Sequence, residues 1–487
     1  MTNLHHDRLY IGGDWVAPAT DARISVISPF TEEELGSTPE GAPADIDAAV
    51  VAARGALDGD WGSTTASERA DVIDRLYALF LERSDDLANL ITAEVGCPLL
   101  FSHFGQVGAT GMVLDYFAKL TRSFEFEEVR PGMMGPALVR HEPVGVSAGI
   151  VPWNVPLFIS MLKLAPALAS GSTIVLKPAP ETPLSANALA QMCIDAGVPD
   201  GVVNIVPAGR ETGQHLVTHP DVDKVSFTGS TAAGRKIGAA CGELLRRCTL
   251  ELGGKSAAII CDDADLDAIM PELIAASTMN NGQACVAQTR ILATRSRYDE
   301  VVEALTEAVA AIPVGDPANM ETGCGPLIAE RQRERVEGYI QAGRDEGARV
   351  TTGGGRPEGL DRGWFVEPTV FADVDNSMRI AQEEIFGPVL AVIAVDDADD
   401  AVRVANDSAY GLSGTVWTAD ADAGLDIARK VRTGTYTVNG FAMEWGAPFG
   451  GFKDSGVGRE LGPEGLAAYL ESKTINLPAG TEPTLAY

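Results

Sequence analysis

Val144-Gly-Val-Ser-Ala-Gly-Ile-Val151 runs into the turn Pro152-Trp-Asn-Val-Pro156, then an apolar stretch to Ala169, then Ser172-Thr-Ile-Val-Leu-Lys177. Two short apolar runs separated by a helix-length apolar segment read as a βαβ unit, because strands buried on both faces lose the in–out alternation. The pattern continues outward. Pro183 opens a helix through Ala196, and Val202-Val-Asn-Ile-Val206 is a third strand. Lys224-Val-Ser-Phe-Thr228 is a fourth, leading into Gly229-Ser-Thr-Ala-Ala-Gly234 and another helix. A second alternating region spans about 257–439, with strands at Arg290-Ile-Leu-Ala-Thr294, Val389-Leu-Ala-Val-Ile-Ala394 and Gly414-Thr-Val-Trp-Thr418. The expected class is α/β, with doubly wound parallel sheets.

Upstream, 46–57 and 67–100 carry apolar residues at three- and four-residue intervals and are predicted helical, with Thr65 or Ser67 capping the second helix. The tail, Glu471-Ser-Lys-Thr-Ile-Asn-Leu-Pro478, alternates like an edge strand in want of a partner.

At 487 residues the chain is long enough for two or three domains. Its net charge of −31 argues against nucleic acid or an anionic membrane, either of which calls for a basic face. The opening residues lack the basic-then-apolar order of a secretory signal, and no run reaches the length of a membrane span. Seven cysteines, odd in number and without C-x-x-C spacing, fit reduced thiols in cytoplasm. His215 and His219 share the H-x-x-x-H spacing but lack the glutamate of a zinc motif, so no metal site is expected.

Two segments carry the chemistry: Glu251-Leu-Gly-Gly-Lys-Ser256 and Asn280-Asn-Gly-Gln-Ala-Cys285. A thiolate attacks a carbonyl carbon, and a carboxylate then activates water against the resulting thioester. Asn154 is a candidate donor to an oxyanion. Gly229 and Ser230 stand at a helix N-terminus, where free N–H groups favour phosphate. Lys177 ends a parallel strand, the edge at which doubly wound sheets bind ligands. Glu383-Glu-Ile-Phe-Gly-Pro388 offers a carboxylate for ribose hydroxyls and a ring for a nicotinamide face. Each has a plainer reading: a packed thiol, a solvated lysine, a glycine serving turn geometry, a helix-end acidic pair with a core Phe.

Taken together and in order, these segments resemble the aldehyde dehydrogenase superfamily. The PWN, K-P-x-x-E-T-P, FTGSTxxG, ELGGKS, GQ-x-C, EEIFGPV and PFGGFK-x-SG-x-GRELG segments follow the family's sequence of motifs. The resemblance implies a dinucleotide-binding domain (1–121 and 143–254), a catalytic domain (255–454) and a return segment to the first (455–470). It also implies a small β oligomerisation arm (122–142 and 471–487) whose tail strand pairs with a neighbouring subunit in a homodimer or homotetramer. It implies Cys285 as nucleophile, Glu251 as general base and Asn154 as oxyanion donor. Lys177 and Glu384 would hold ribose hydroxyls, Phe386 would lie against the nicotinamide, and Trp153, Gly229, Ser230 and Gly253 would line the path of NAD. Val155, Ile159, Leu162, Ala284, Val286, Phe441 and Trp445 would face the aldehyde, an apolar or aromatic one by their character; Glu444 is expected to face solvent.

The chain departs from the family at Pro180, where many NAD-preferring members carry Glu, and Glu181 follows one step later. Arg210 could meet a 2′-phosphate, so NADP stands beside NAD as an option. A CoA-acylating semialdehyde dehydrogenase is a rival reading that Glu251 opposes. A non-catalytic binding protein on the same scaffold is another, opposed by the retention of Cys285, Glu251 and Asn154.

Overall fold

The computed structural model describes residues 4–485 and contains two parallel-sheet α/β domains with two small antiparallel sheets. The eight strands of the first large sheet lie in the order Gly456–Val457, Arg247–Glu251, Lys224–Thr228, Val146–Ile150, Thr173–Lys177, Val203–Ile205, Leu9–Ile11 and Asp14–Val16. The five from Arg247–Glu251 to Val203–Ile205 are mutually parallel; the outer strands run antiparallel. The second sheet orders Arg349–Thr352, Thr369–Ala372, Val389–Val395, Arg290–Thr294, Ala257–Ile260, Gly414–Trp417 and Thr437–Val438, with only Arg349–Thr352 antiparallel. Residues 252–256 pass directly from the carboxyl end of one sheet to the amino end of the other.

The helix Pro156–Ser170 lies wholly in the core, every residue buried. Pro156 starts it without loss, since a first-turn N–H has no intrahelical partner, and Gly171 ends it in the left-handed conformation (φ +86°). Its one cation, Lys163, is compensated: Nζ lies 2.8 Å from Glu460 Oε1 and donates to Thr228 Oγ1 at 2.7 Å.

The expectation for the helices needs correction. The helical stretch expected over 67–100 is broken into Ala66–Glu82, Ser84–Val95 and Leu99–Phe101. The first break falls at Arg83, after which Asp85 and Asp86 favour a new helix start; the second is set by Gly96 at φ +79°. Thr65, not Ser67, is the cap, its hydroxyl accepting from the Glu68 N–H while Glu68 Oε2 accepts from the Thr65 N–H. The tail strand Leu470–Asn476 finds a partner in its own chain, pairing antiparallel with Ala137–Pro143, which also pairs with Glu127–Arg130. The opposite edge of Leu470–Asn476 carries no strand among the described residues.

His215 Nε2 and His219 Nε2 both approach Asp47 Oδ1, at 2.5 and 3.4 Å. The Asp221 N–H donates to His219 Nδ1 at 3.1 Å, which places the ring's proton on Nε2, facing Asp47. That tautomer has no lone pair to offer a metal there. Among the described residues no group of three or more His, Cys, Asp or Glu side chains is placed to hold a metal ion, and no helix is long and apolar enough to cross a membrane.

Candidate active site

From Val146–Ile150 the chain proceeds to Thr173–Lys177 and Val203–Ile205 on one side, then returns to Lys224–Thr228 on the other. The loops leaving the two central strands therefore diverge, and a crevice opens beyond their carboxyl ends. Pro152, Trp153 and Asn154 form one wall and Thr228, Gly229 and Ser230 the other, in a cleft of about 270 Å³ completed by Leu252, Gly253, Cys285, Gln332, Arg335, Glu384 and Phe386.

Ser230 caps the helix Thr231–Glu243, its hydroxyl accepting from the Ala233 N–H at 3.3 Å. Two glycines leave the cleft's surface close to its neighbours. A Cβ on Gly253 would stand 2.6 Å from Glu384 Oε2, and one on Gly229 would stand 2.6 Å from the Phe227 ring. Glu384 is held by the Gly254 N–H, 2.9 Å from Oε1, and burial raises its pKa. Phe386 takes a positive φ of 62°, fixed by Gln332 Nε2 donating to its carbonyl at 2.7 Å, and its ring meets Trp153 edge-on at 5.3 Å.

Lys177 lies one strand over on the same sheet edge. Its Nζ donates to the carbonyls of Pro178 and Ala208 at 3.0 and 2.9 Å. Burial lowers its pKa to about 8, against the opposing charges of Glu181 and Glu40. Arg210 is exposed at the start of the helix Arg210–Thr218, and Glu181 is engaged by Arg331.

A second cavity, of about 530 Å³, opens on the other side of Cys285. Asn154, Ile159, Thr228 and Cys285 line both cavities, so the thiol sits at their junction; Glu251 lines only the second. Of the residues expected to face the aldehyde, Val155, Ile159, Ala284, Val286, Phe441 and Trp445 line this cavity. Leu162 does not. It is 1% exposed and packed in the core, one helical turn beyond Ile159, which covers the wall in its place. Glu444 is exposed and outside the wall.

Sequence reasoning missed much of this surface: Phe101, Phe104, Ala109 and Met112 from the first third, then Phe158, Met279, Met443 and Phe449. Phe101, Ala109 and Met112 lie beyond residue 100, where the helical reading of the sequence stopped. Gln332 and Arg335, on the charged helix Glu330–Asp345, carried no signal at all.

The loop bearing Cys285 is built from left-handed residues: Asn280 (φ 53°), Asn281 (φ 60°) and Gly282 (φ 73°). Asn tolerates this conformation when its side chain finds local partners. Asn281 bonds the carbonyls of Gly96 and Pro326 and the N–H of Gly325, at 3.0, 2.9 and 2.7 Å. Gly282 admits no side chain, since a Cβ would meet the Gly387 backbone at 2.2 Å. Asn154 Nδ2 donates to the Gln283 carbonyl at 2.9 Å, leaving its second N–H to the cavity.

Burial raises the Cys285 pKa, and the charges of Glu384 and Glu251 add to the effect. Burial likewise lifts Glu251 well above the carboxylate range, reinforced by Glu460 and opposed by Lys163 and Arg459. Among the described residues neither Glu251 oxygen has a hydrogen-bond partner. Burial thus disfavours the charged forms of both the thiol and the acid.

The family model described as the aldehyde dehydrogenase family matches residues 15–475. The chain belongs to the aldehyde dehydrogenase family. Its fold is shared with a Mycobacterium tuberculosis aldehyde dehydrogenase solved with NAD+, at 52% identity and TM-score 0.97, covering 99% of this chain and 100% of that one. A Pseudomonas syringae aldehyde dehydrogenase variant solved with NAD+ and octanal is 41% identical, at TM-score 0.95 with 98% of each chain covered. Among curated relatives, a geranial dehydrogenase of Castellaniella defragrans is 48% identical over 97% of this chain and 99% of that one. A member of this family, the chain is an NAD(P)-dependent aldehyde dehydrogenase.

Proposed function

We propose that Cys285, Glu251 and Asn154 carry the oxidation, and that the aldehyde is an apolar one of medium length. The observation that supports this most is the position of Cys285, between a glycine-floored cleft and an apolar cavity. The cleft fits a dinucleotide: backbone approaches closely where Gly229 and Gly253 lack side chains, beside a helix N-terminus and a buried carboxylate. Trp153, Gly229, Ser230 and Gly253 would line its path, with Lys177 and Glu384 toward ribose hydroxyls and Phe386 toward the nicotinamide. NAD, when bound, supplies the acceptor for the hydride that leaves the aldehyde carbon.

The chain's own residues do the rest. Cys285 gives up its proton to water and its Sγ bonds the carbonyl carbon, while the free Nδ2 hydrogen of Asn154 and the Cys285 N–H hold the oxygen as it gains charge. After oxidation the carbon remains bound to sulfur as a thioester. Glu251 takes a proton from the attacking water, the C–S bond breaks, and the acid leaves as the thiol re-forms. The aromatic and Met walls favour an alkyl or terpenoid chain, in keeping with octanal in one structural neighbour and geranial in the name of one relative.

NAD is preferred over NADP in this reading, because Glu181 and Glu40 both place negative charge around Lys177 despite Pro180. We assign 1–121 and 143–254 to the dinucleotide-binding domain, 255–454 to the catalytic domain and 455–470 to the return segment. We assign 122–142 and 471–487 to an arm whose free strand edge joins subunits into a homodimer or homotetramer, in the cytoplasm. The deciding experiment measures kcat/KM with NAD and NADP against octanal, geranial, benzaldehyde and succinic semialdehyde. Octanal or geranial should lead; a preference for the acidic aldehyde would overturn the substrate assignment, and turnover by Cys285→Ser would overturn the mechanism.

A further inference from the structure

The part of the aldehyde cavity formed by Phe441, Met443 and Trp445 is an irregular loop, and both of its ends are fixed. At the first, the Asn439 N–H donates to the Val416 carbonyl at 2.8 Å, and the Asn439 side chain bonds the N–H and the carbonyl of Thr418 at 2.9 and 2.8 Å. These bonds hold Asn439 in the left-handed conformation, at φ 54°. At the second, the Trp445 carbonyl accepts from the Gly462 N–H at 3.0 Å, and the Trp445 ring meets Phe158 edge-on at 6.0 Å.

Between these ends a carboxylate reaches in from another element. Glu272, on the helix Leu266–Thr278, accepts from the Phe441 N–H at Oε1, at 3.1 Å. Gly440 makes room for it, since a Cβ there would stand 2.8 Å from the same oxygen. Glu272 also lines the cavity and is exposed, whereas Phe441 is half-buried and packs against the core. The contact therefore marks the solvent end of the cavity, away from the buried Glu251 and Val286. An exposed glutamate on a helix is ordinarily a solvated group. This one is aimed at a loop N–H that no strand or helix satisfies. Its helix runs on through Met279–Gly282 to Cys285, so the bond joins the outer wall of the cavity to the element that leads to the thiol.

We propose that Glu272 is a positioning residue, which holds Phe441 as the outer wall of the aldehyde cavity and so sets the preference for longer chains. This rests on the reading of that cavity as the aldehyde site. A loop already held at Phe441 presents its ring to an incoming alkyl chain without further ordering. Once the bond is lost, the ordering cost falls on binding, and affinity drops. The reacting carbon at Cys285 is remote from the contact, so the chemical step is spared. A short aldehyde does not reach Phe441 and is indifferent to the anchor.

The test compares Glu272→Ala and Glu272→Gln with the wild-type enzyme, using propanal and octanal at saturating NAD. Glu272→Ala removes the acceptor and should raise the KM for octanal about tenfold, with kcat and both constants for propanal unchanged. Glu272→Gln keeps a carbonyl oxygen at the same reach and should restore the octanal KM. Deuterium exchange over residues 439–445 should quicken in Glu272→Ala and stay at the wild-type rate in Glu272→Gln, a readout that needs no substrate. An unchanged octanal KM in Glu272→Ala, equal losses for propanal and octanal, or exchange indifferent to the alanine would each overturn the proposal. A wild-type enzyme that oxidises propanal but not octanal would instead remove the medium-length substrate, and the exchange rates would then decide the anchor alone.

Discussion

Asn280 Nδ2 donates to the carbonyl oxygen of Asn154 at 2.9 Å, so the loop that carries the Cys285 thiol also fixes the backbone of Asn154, the proposed oxyanion donor. The same nitrogen bonds the Gln283 carbonyl at 3.1 Å, and Asn154 Nδ2 bonds that carbonyl from its other side. Thiol and donor are thereby placed as one unit. Removing the Asn154 side chain should cost roughly 10²–10³ in kcat, the usual loss for a single oxyanion donor. Asn280→Ala removes only the support. It should lower kcat by about tenfold, the effect of a slightly misplaced group, with NAD affinity measured by fluorescence quenching unchanged.

In the proposed hydrolysis Glu251 loses a proton before it activates water, and burial, with the charge of Glu460, raises its pKa above the ordinary carboxylate range. Turnover limited by thioester hydrolysis should therefore rise with pH across the neutral range. Glu251→Gln should abolish steady-state turnover while leaving a burst of reduced nicotinamide approaching one per active site. A Gln variant that keeps both turnover and the pH slope would remove Glu251 from the hydrolytic step.

Gly253→Ala would press a methyl group against Glu384, 2.6 Å from Oε2. That carboxylate is anchored at Gly254, so the cleft and not the core must give way. The expected outcome is a KM for NAD raised about tenfold or more, with the melting temperature nearly unchanged. Gly282→Ala differs, since it adds a positive φ to a backbone clash, and it should lower the yield of folded protein.

Glu94, wholly buried, accepts from the N–H groups of Leu184 and Ser185 at 2.6 and 3.2 Å, yet burial outweighs these bonds and raises its pKa to about 7. The folded state therefore holds a proton that the unfolded state releases above about pH 4.5. The stability this contributes is complete below the unfolded value and is lost as pH rises to about 7, a change on the order of 3 kcal/mol. Glu94→Gln should flatten that portion of the stability–pH curve in urea titrations; an unchanged slope would contradict it.

How far the sequence reached follows from what is local. Apolar runs and their turns placed the strands Val146–Ile150, Thr173–Lys177 and Lys224–Thr228 nearly to the residue, because a buried strand declares itself in its own composition. The cleft residues near strand ends were legible for the same reason: Gly229 follows its strand directly, and Gly253 and Asn154 lie in the turns just beyond theirs. The aldehyde cavity was not. Its Phe101, Phe104 and Met112 come from helices remote in sequence, and a helix's apolar stripe announces that it will be covered without saying by what.

By itself the sequence determined the alternation of strand and helix, the order of the motifs and the residue types available for chemistry. Tertiary packing decided that Leu162 falls behind Ile159, that Leu470–Asn476 pairs first with Ala137–Pro143, and that Gln332 reaches the Phe386 carbonyl. It also raised the Glu251 pKa, since burial beside Glu460 is a property of neighbours brought together from distant parts of the chain. Periodicity records which face of an element is apolar; only the packed chain sets which faces meet, and with them the distances and charges on which the chemistry depends.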